Sequence, residues 1–175
     1  MKRQYKKVLK DYPIHESQRG YFGLALYKLM AENEKVVLVT ADLGFKLFDK
    51  HFTSFPDRCF NVGAAEQSAI GVACGLSLSG KIPVVYSITP FLLYRPFETL
   101  RTYVSHEEIP MVLAGSGRDL DYKEDGISHH ADDAKKVLAA LPNIISYWPK
   151  DKESVEGLLQ MAVKSKKPGF ISLRR

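Results

Sequence analysis

The sequence has little cysteine, two residues in 175, and no long apolar run. Cys59 and Cys74 both stand among apolar neighbours and lack metal-ligand spacing, so neither a disulfide framework nor a zinc site is expected. That usage suits a reduced, cytoplasmic setting. No stretch approaches the ~20 apolar residues of a membrane span. Nothing hydrophobic follows the opening Met-Lys-Arg-Gln-Tyr-Lys-Lys, so a secretory signal is not expected either. Internal repeats, low-complexity tracts and obvious linkers are missing too, which leaves one continuous domain with a short N-terminal arm. The arm is expected over residues 1–16, as an extended segment or a short helix ending near Pro13, and the domain over 17–175.

What remains is ordinary: 45% hydrophobic and 26% charged residues, enough for one sizeable core at this length. The net charge is +5, gathered at Lys2 to Lys10, at Lys164 to Lys167, and at Arg174 and Arg175. No basic face is interleaved with aromatics, so a nucleic-acid role is not expected. A weak attraction for anionic substrates is compatible with the charge.

Apolar positions Phe22, Ala25, Leu26, Leu29 and Met30 follow helical spacing after Ser17. Arg19 lies in that helix's first turn, where the dipole does not favour a cation, so it is either a solvated charge or a group reaching for an anion. Val36 to Thr40 reads as a strand buried on both faces, ending in Ala41-Asp42-Leu43-Gly44. A short helix with Leu47, Phe48 and Phe52 is closed by Pro56. Further strands are expected at Cys59 to Val62, Ile82 to Tyr86, Pro110 to Ala114, Ile144 to Trp148 and Phe170 to Leu173. Helices are expected over 64–79, from Pro96 through Val104, over Ala131 to Ala140, and over Val155 to Val163. Strict alternation with short connections predicts an α/β fold: a three-layer parallel sheet with helices on both faces. In such sheets ligands bind outside the carboxyl ends of the strands, where Asp42, Glu66, Phe91 and the 115–130 loop fall.

The chain is organised around Phe60 to Gly80. A strand stops at Gly63, and a helix of small residues follows, with Ala65, Ala69, Ala73, Gly71 and Gly75 at spacings of three and four. Each glycine inside a helix costs about 1 kcal/mol relative to alanine, so the smooth face is expected to meet another backbone or a ligand closely. Glu66 opens this helix. On position alone it is an acid favoured by the helix dipole.

The run Asn61-Val62-Gly63-Ala64-Ala65-Glu66-Gln67, with the small-residue helix and Gly80-Lys81-Ile82-Pro83-Val84-Val85-Tyr86-Ser87 behind it, resembles the pyrimidine-binding domain of the transketolase family. The resemblance extends from about Arg19 to Leu173. It implies that Glu66 contacts the aminopyrimidine ring of thiamine diphosphate and holds a proton at the ring nitrogen, as a catalytic group in a dry pocket. The segment Phe91-Leu92-Leu93-Tyr94-Arg95-Pro96-Phe97-Glu98 resembles the one that stacks on that ring, with Phe91 the first choice as stacker and Tyr94 the second. Core packing is the competing reading of Phe91, and Phe97 falls on the apolar face. Asp42 and Leu43 match an Asp-Leu turn near the cofactor and the subunit interface.

Glu124-Asp125-Gly126-Ile127-Ser128-His129-His130 resembles the family's Glu-Asp-Gly-x-Thr-His-x signature. That match implies Asp125 on a substrate hydroxyl and a catalytic His129 that stabilises the developing alkoxide or shuttles a proton, with His130 alongside. Read alone, the loop is also compatible with helix capping by Ser128 or His129, or with a histidine metal pair that lacks a second cluster. Two matches fail. The serine and histidine that hold a substrate phosphate in ketose-phosphate transketolases are replaced here by Lys46 and Gly117. Arg19 and Lys46 are then the expected anion contacts, and a sugar other than a simple pentose phosphate, a nucleotide-linked one included, is the expected substrate.

The chain contains no Gly-Asp-Gly and ends at Arg175, where many members of the family continue. The resemblance therefore implies a separate subunit that binds the diphosphate through Mg2+, in a heterotetramer built around paired pyrimidine domains. The expected activity is transfer of a two-carbon ketol unit between sugars. The alternatives are the beta-type half of a 2-oxo acid dehydrogenase, the small half of a decarboxylase, or a non-catalytic regulatory subunit that kept the fold. The Glu-Asp-Gly loop favours transketolase.

Overall fold

Five consecutive residues, Val36–Thr40, have no exposed side, and they form the strand β1. The computed structural model describes Tyr12 and residues 15–175, so the arm expected over residues 1–16 lies almost wholly outside the described residues. The other strands are β2 (Cys59–Asn61), β3 (Ile82–Ile88), β4 (Val112–Ser116), β5 (Ile145–Tyr147) and β6 (Gly169–Leu173). They lie in the order β2-β1-β3-β4-β6-β5, and every pairing is parallel. The register sets Thr40 beside Asn61 and Tyr86, so the carboxyl ends of β1, β2 and β3 share one edge.

Strand residues alternate between two cores, as a period of two requires. Val36, Leu38, Val84, Tyr86, Val112 and Ala114 turn towards α1 (Gln18–Glu32) and α7 (Ser154–Lys164). Val39, Val85, Leu113 and Phe170 turn the other way. They meet α3 (Glu66–Leu78), α4 (Thr89–Tyr94), the turn α5 (Phe97–Thr99) and α6 (Ala134–Ala139). A short α2 (Asp49–Ser54) covers the β1–β2 connection. The result is the three-layer parallel architecture that the alternation predicts.

Local chemistry fixes the ends that matter. The Ser17 hydroxyl accepts from the Gly20 N–H at 3.2 Å and starts α1. Arg58 closes the same helix, with Nη1 donating to the carbonyls of Met30, Asn33 and Val36 at 2.8, 3.1 and 3.4 Å. Asn61 Oδ1 accepts from the Asp42 and Gly63 N–H groups at 2.9 and 3.1 Å, tying the β1 and β2 ends together. Gly63, at φ +76, then reverses the chain so that α3 starts at Glu66.

Three helix assignments differ from the sequence reading, and the strand expected over Pro110 to Ala114 lies two residues later, at Val112–Ser116. Residues Thr89–Tyr94 are helical, where no helix was expected. The helix expected from Pro96 is one turn, Phe97–Thr99, that widens into a π-helix over Leu100–His106. The helix expected from Ala131 begins at Ala134, because the Ala131 N–H donates to the Asp119 carbonyl in an antiparallel bridge. No helix among the described residues is long and apolar enough to cross a membrane.

The smooth face of α3 divides. Ala69 and Ala73 are fully buried against the sheet. Gly71 and Gly75 face outwards, and a Cβ added at either would meet nothing within 4 Å. The close approach expected there is therefore not made within the described chain.

Candidate functional site

Glu66 is the first residue of α3 and is 3% exposed. A carboxylate this dry requires a partner. Arg95 supplies it, with Nη1 donating to both carboxylate oxygens at 2.9 and 2.8 Å. Arg95 follows α4 directly, four residues after Phe91, so its guanidinium folds back over the Phe91 ring, 3.7 Å from the centroid. The other neighbour of Phe91 is His129, whose ring meets it edge-on at 4.8 Å and 64°. His129 Nδ1 lies 3.0 Å from the Ser128 hydroxyl.

The line continues across the end of β4. Tyr122 lies 6.1 Å from His129, ring to ring. Its hydroxyl accepts from Arg19 Nη1 at 3.1 Å and lies 2.9 Å from the Ser116 hydroxyl. Burial pushes the nearby Tyr86 phenol above its ordinary value, while Ser116 and Arg19 pull it back by hydrogen bonding. Arg19, Leu43, Phe45, Lys46, Tyr86 and Tyr122 line a cavity of about 400 Å³. Arg19 Nε is buried there without a hydrogen-bond partner.

Two neighbouring zones thus hold most of the residues singled out in the sequence. Glu66, Phe91 and His129 converge in one; Arg19, Lys46 and Leu43 wall the other. Lys46 is exposed with φ +64, a bend held by its N–H donating to Asp49 Oδ1 at 3.0 Å. Asp42 and Asp125 are exposed at the same sheet edge. His130 is engaged locally, with Nε2 3.1 Å from the Lys123 carbonyl. Tyr94 donates its hydroxyl to Asp133, and burial together with Asp133 pushes that phenol well up. The capping reading of the 124–130 loop does not fit, since α6 begins at Ala134 with Asp133 before it and Ser128 and His129 sit in a separate turn. Among the described residues no three His, Cys, Asp or Glu side chains cluster as a metal site.

Arg95, Tyr122 and Ser116 are the site residues that sequence reasoning missed. Arg95 did carry a signal: it is the one charged residue between Ile88 and Phe97, a helical turn after Phe91. Tyr122 and Ser116 carried none, because their roles come from where β4 meets the loop.

Comparison with known proteins agrees with this geometry. Residues 17–175 match the family described as the transketolase pyrimidine binding domain. A chain described as a transketolase C-terminal section from Methanocaldococcus jannaschii is 28% identical over 163 residues, 93% of this chain and 52% of that one. A 1-deoxy-D-xylulose-5-phosphate synthase from Dehalococcoides mccartyi is 36% identical over 149 residues, 84% of this chain and 23% of the synthase. Among solved structures, a split gene transketolase described as an inactive beta4 tetramer superposes with a TM-score of 0.80 at 32% identity, covering 91% of this chain and 51% of that one. The chain thus spans about half or less of the length of these relatives. With the fold, the buried glutamate and the matched residues in agreement, the chain belongs to the transketolase pyrimidine-binding domain family.

Proposed function

We propose that this chain is the pyrimidine-binding subunit of a split, thiamine diphosphate-dependent transketolase that moves a two-carbon ketol unit between sugars. The observation that carries the reading is the buried Glu66 carboxylate joined to the face of Phe91 through one side chain, Arg95. A planar N–C–N group, the Arg95 guanidinium, already touches both. An aminopyrimidine offers the same two features, a polar N–C–N edge and a flat face, so the residues fit the cofactor's ring.

Thiamine diphosphate, when bound, supplies the nucleophilic carbon and the electron sink for breaking a C–C bond beside a carbonyl. The chain's own residues do the rest. Glu66 holds a proton at the ring nitrogen, in a setting dry enough to keep it from water. Phe91 fixes the ring's plane. His129, packed edge-on against Phe91, moves a proton at the substrate oxygen, and Asp125 accepts from a substrate hydroxyl. Arg19 and Lys46 take the anionic end of the sugar in the adjoining cavity. Asp42 and Leu43 stand at the edge shared with the partner. Mg2+ and the diphosphate belong to that partner. The open Gly71–Gly75 face of α3 pairs pyrimidine domains in the heterotetramer. The 1-deoxy-D-xylulose-5-phosphate synthases among the relatives keep a second reading in view, the pyrimidine-binding part of a synthase of that kind.

Calorimetry with thiamine diphosphate and Mg2+ tests this, using the chain alone and then with a diphosphate-binding subunit encoded beside it. Tight binding is expected only in the mixture, with turnover of ketose donors that Glu66→Gln lowers by about 100-fold or more. Binding to the chain alone as tight as in the mixture, or unimpaired turnover in Glu66→Gln, refutes the assignment.

A further inference from the structure

Resting on that reading, we infer that Arg95 is a built-in occupant of the pyrimidine site, which any incoming ring must displace. Three observations meet in this one side chain. Its Nη1 takes both oxygens of Glu66, the only buried carboxylate among the described residues. Its guanidinium covers the face of Phe91 at 3.7 Å. Its side chain is 47% exposed, so it reaches these groups from the solvent side and is not locked in the core.

A guanidinium and an aminopyrimidine compete for the same pair of surfaces, because both are flat and both present N–H groups to a carboxylate. They cannot stack on one face of Phe91 together. Without a ring, Arg95 spares Glu66 the penalty of a buried, unpaired charge. It stands at the break between α4 and α5, flanked by Tyr94 and Pro96, where side-chain rotation towards solvent disturbs no packed helix. Arg95 is therefore a positioning residue that stabilises the unassembled chain and raises the threshold for binding a ring.

A ligand that mimics only the ring separates this role from a structural one. The probe is 4-amino-5-hydroxymethyl-2-methylpyrimidine, titrated into the full chain by calorimetry or ligand-observed NMR, with thermal midpoints alongside. Arg95→Ala is expected to bind the probe about tenfold more tightly than the wild type while melting at a lower temperature. Arg95→Lys, which keeps the charge but not the plane, falls between the two and guards against misfolding of the alanine variant. Adding Phe91→Ala to Arg95→Ala removes the gain. Equal or weaker binding by Arg95→Ala overturns the displacement model alone, as does a gain that survives loss of Phe91. Absence of binding by the wild type and every variant overturns both this inference and the pyrimidine-site assignment.

Discussion

Replacing Gly71 and Gly75 with alanine should stabilise the isolated chain and weaken its assembly at the same time. Neither glycine has left-handed backbone torsions, and an added methyl would meet nothing within 4 Å at either position. The intrinsic preference for alanine in a helix interior, about 1 kcal/mol per site, is then realised in full. Two sites give about 2 kcal/mol, which in a chain of this size corresponds to roughly 4–8 °C in thermal midpoint. Gly157 in α7 is an internal control, since it too has open space around a Cβ. Gly157→Ala should stabilise by about half as much and leave association unchanged. If α3 is the docking face, methyls at 71 and 75 hold the second copy or partner away, and the dissociation constant rises. Urea titrations at high dilution read the first effect; sedimentation velocity over a concentration series reads the second. A double variant less stable than wild type at high dilution would refute the open-face geometry. Unchanged association would refute the docking role of α3.

Two further predictions concern parts remote from the site. His51 is fully buried, with Tyr12, Tyr27 and Phe48 meeting its ring edge-on and the Gly23 backbone beside it. Burial pushes its pKa down from 6.5 to about 3. Between these values the unfolded chain takes up a proton that the folded chain refuses. Stability is therefore complete above pH 6.5 and falls towards pH 3 by up to about 1.4 kcal/mol per pH unit. Urea midpoints for His51→Leu from pH 7.5 to 4, as a rough working range, should show a flatter acid limb, and an unchanged slope would contradict the assignment. Arg58→Met removes three hydrogen bonds from Nη1 and a guanidinium 4.5 Å from the Phe55 centroid. A loss of about 2–3 kcal/mol is expected, with faster amide exchange at the end of α1; a midpoint lowered by less than ~2 °C would show that water replaces those bonds.

The sheet was legible because its strands are continuous apolar runs separated by helical spacing, and Val36–Thr40 was located to the residue. Helix α4 was not. Its apolar residues Leu92 and Leu93 are adjacent and both buried, so no amphipathic period marks it, and Pro90 at its start reads equally well as a turn. The early start assigned to α6 failed for a nonlocal reason, the backbone bridge between Ala131 and Asp119. At the site, Glu66, Phe91 and the His129 loop each carry a local pattern. Arg95 and Tyr122 also depend on partners 29 and 103 positions away, Glu66 and Arg19, which spacing along the chain does not reveal.

The two outer strands, β2 and β5, are three residues each. An edge so brief offers few free backbone groups, so a neighbouring copy cannot extend this sheet by adding strands. Growth along the hydrogen-bonding direction, the route by which parallel sheets run on into fibres, is closed at both sides. Any association then has to use helix and loop surfaces, where side-chain size governs fit. If α3 is the docking face, a few small residues on one helix set who binds whom, and evolution can retune that choice without altering the strands that carry the candidate site.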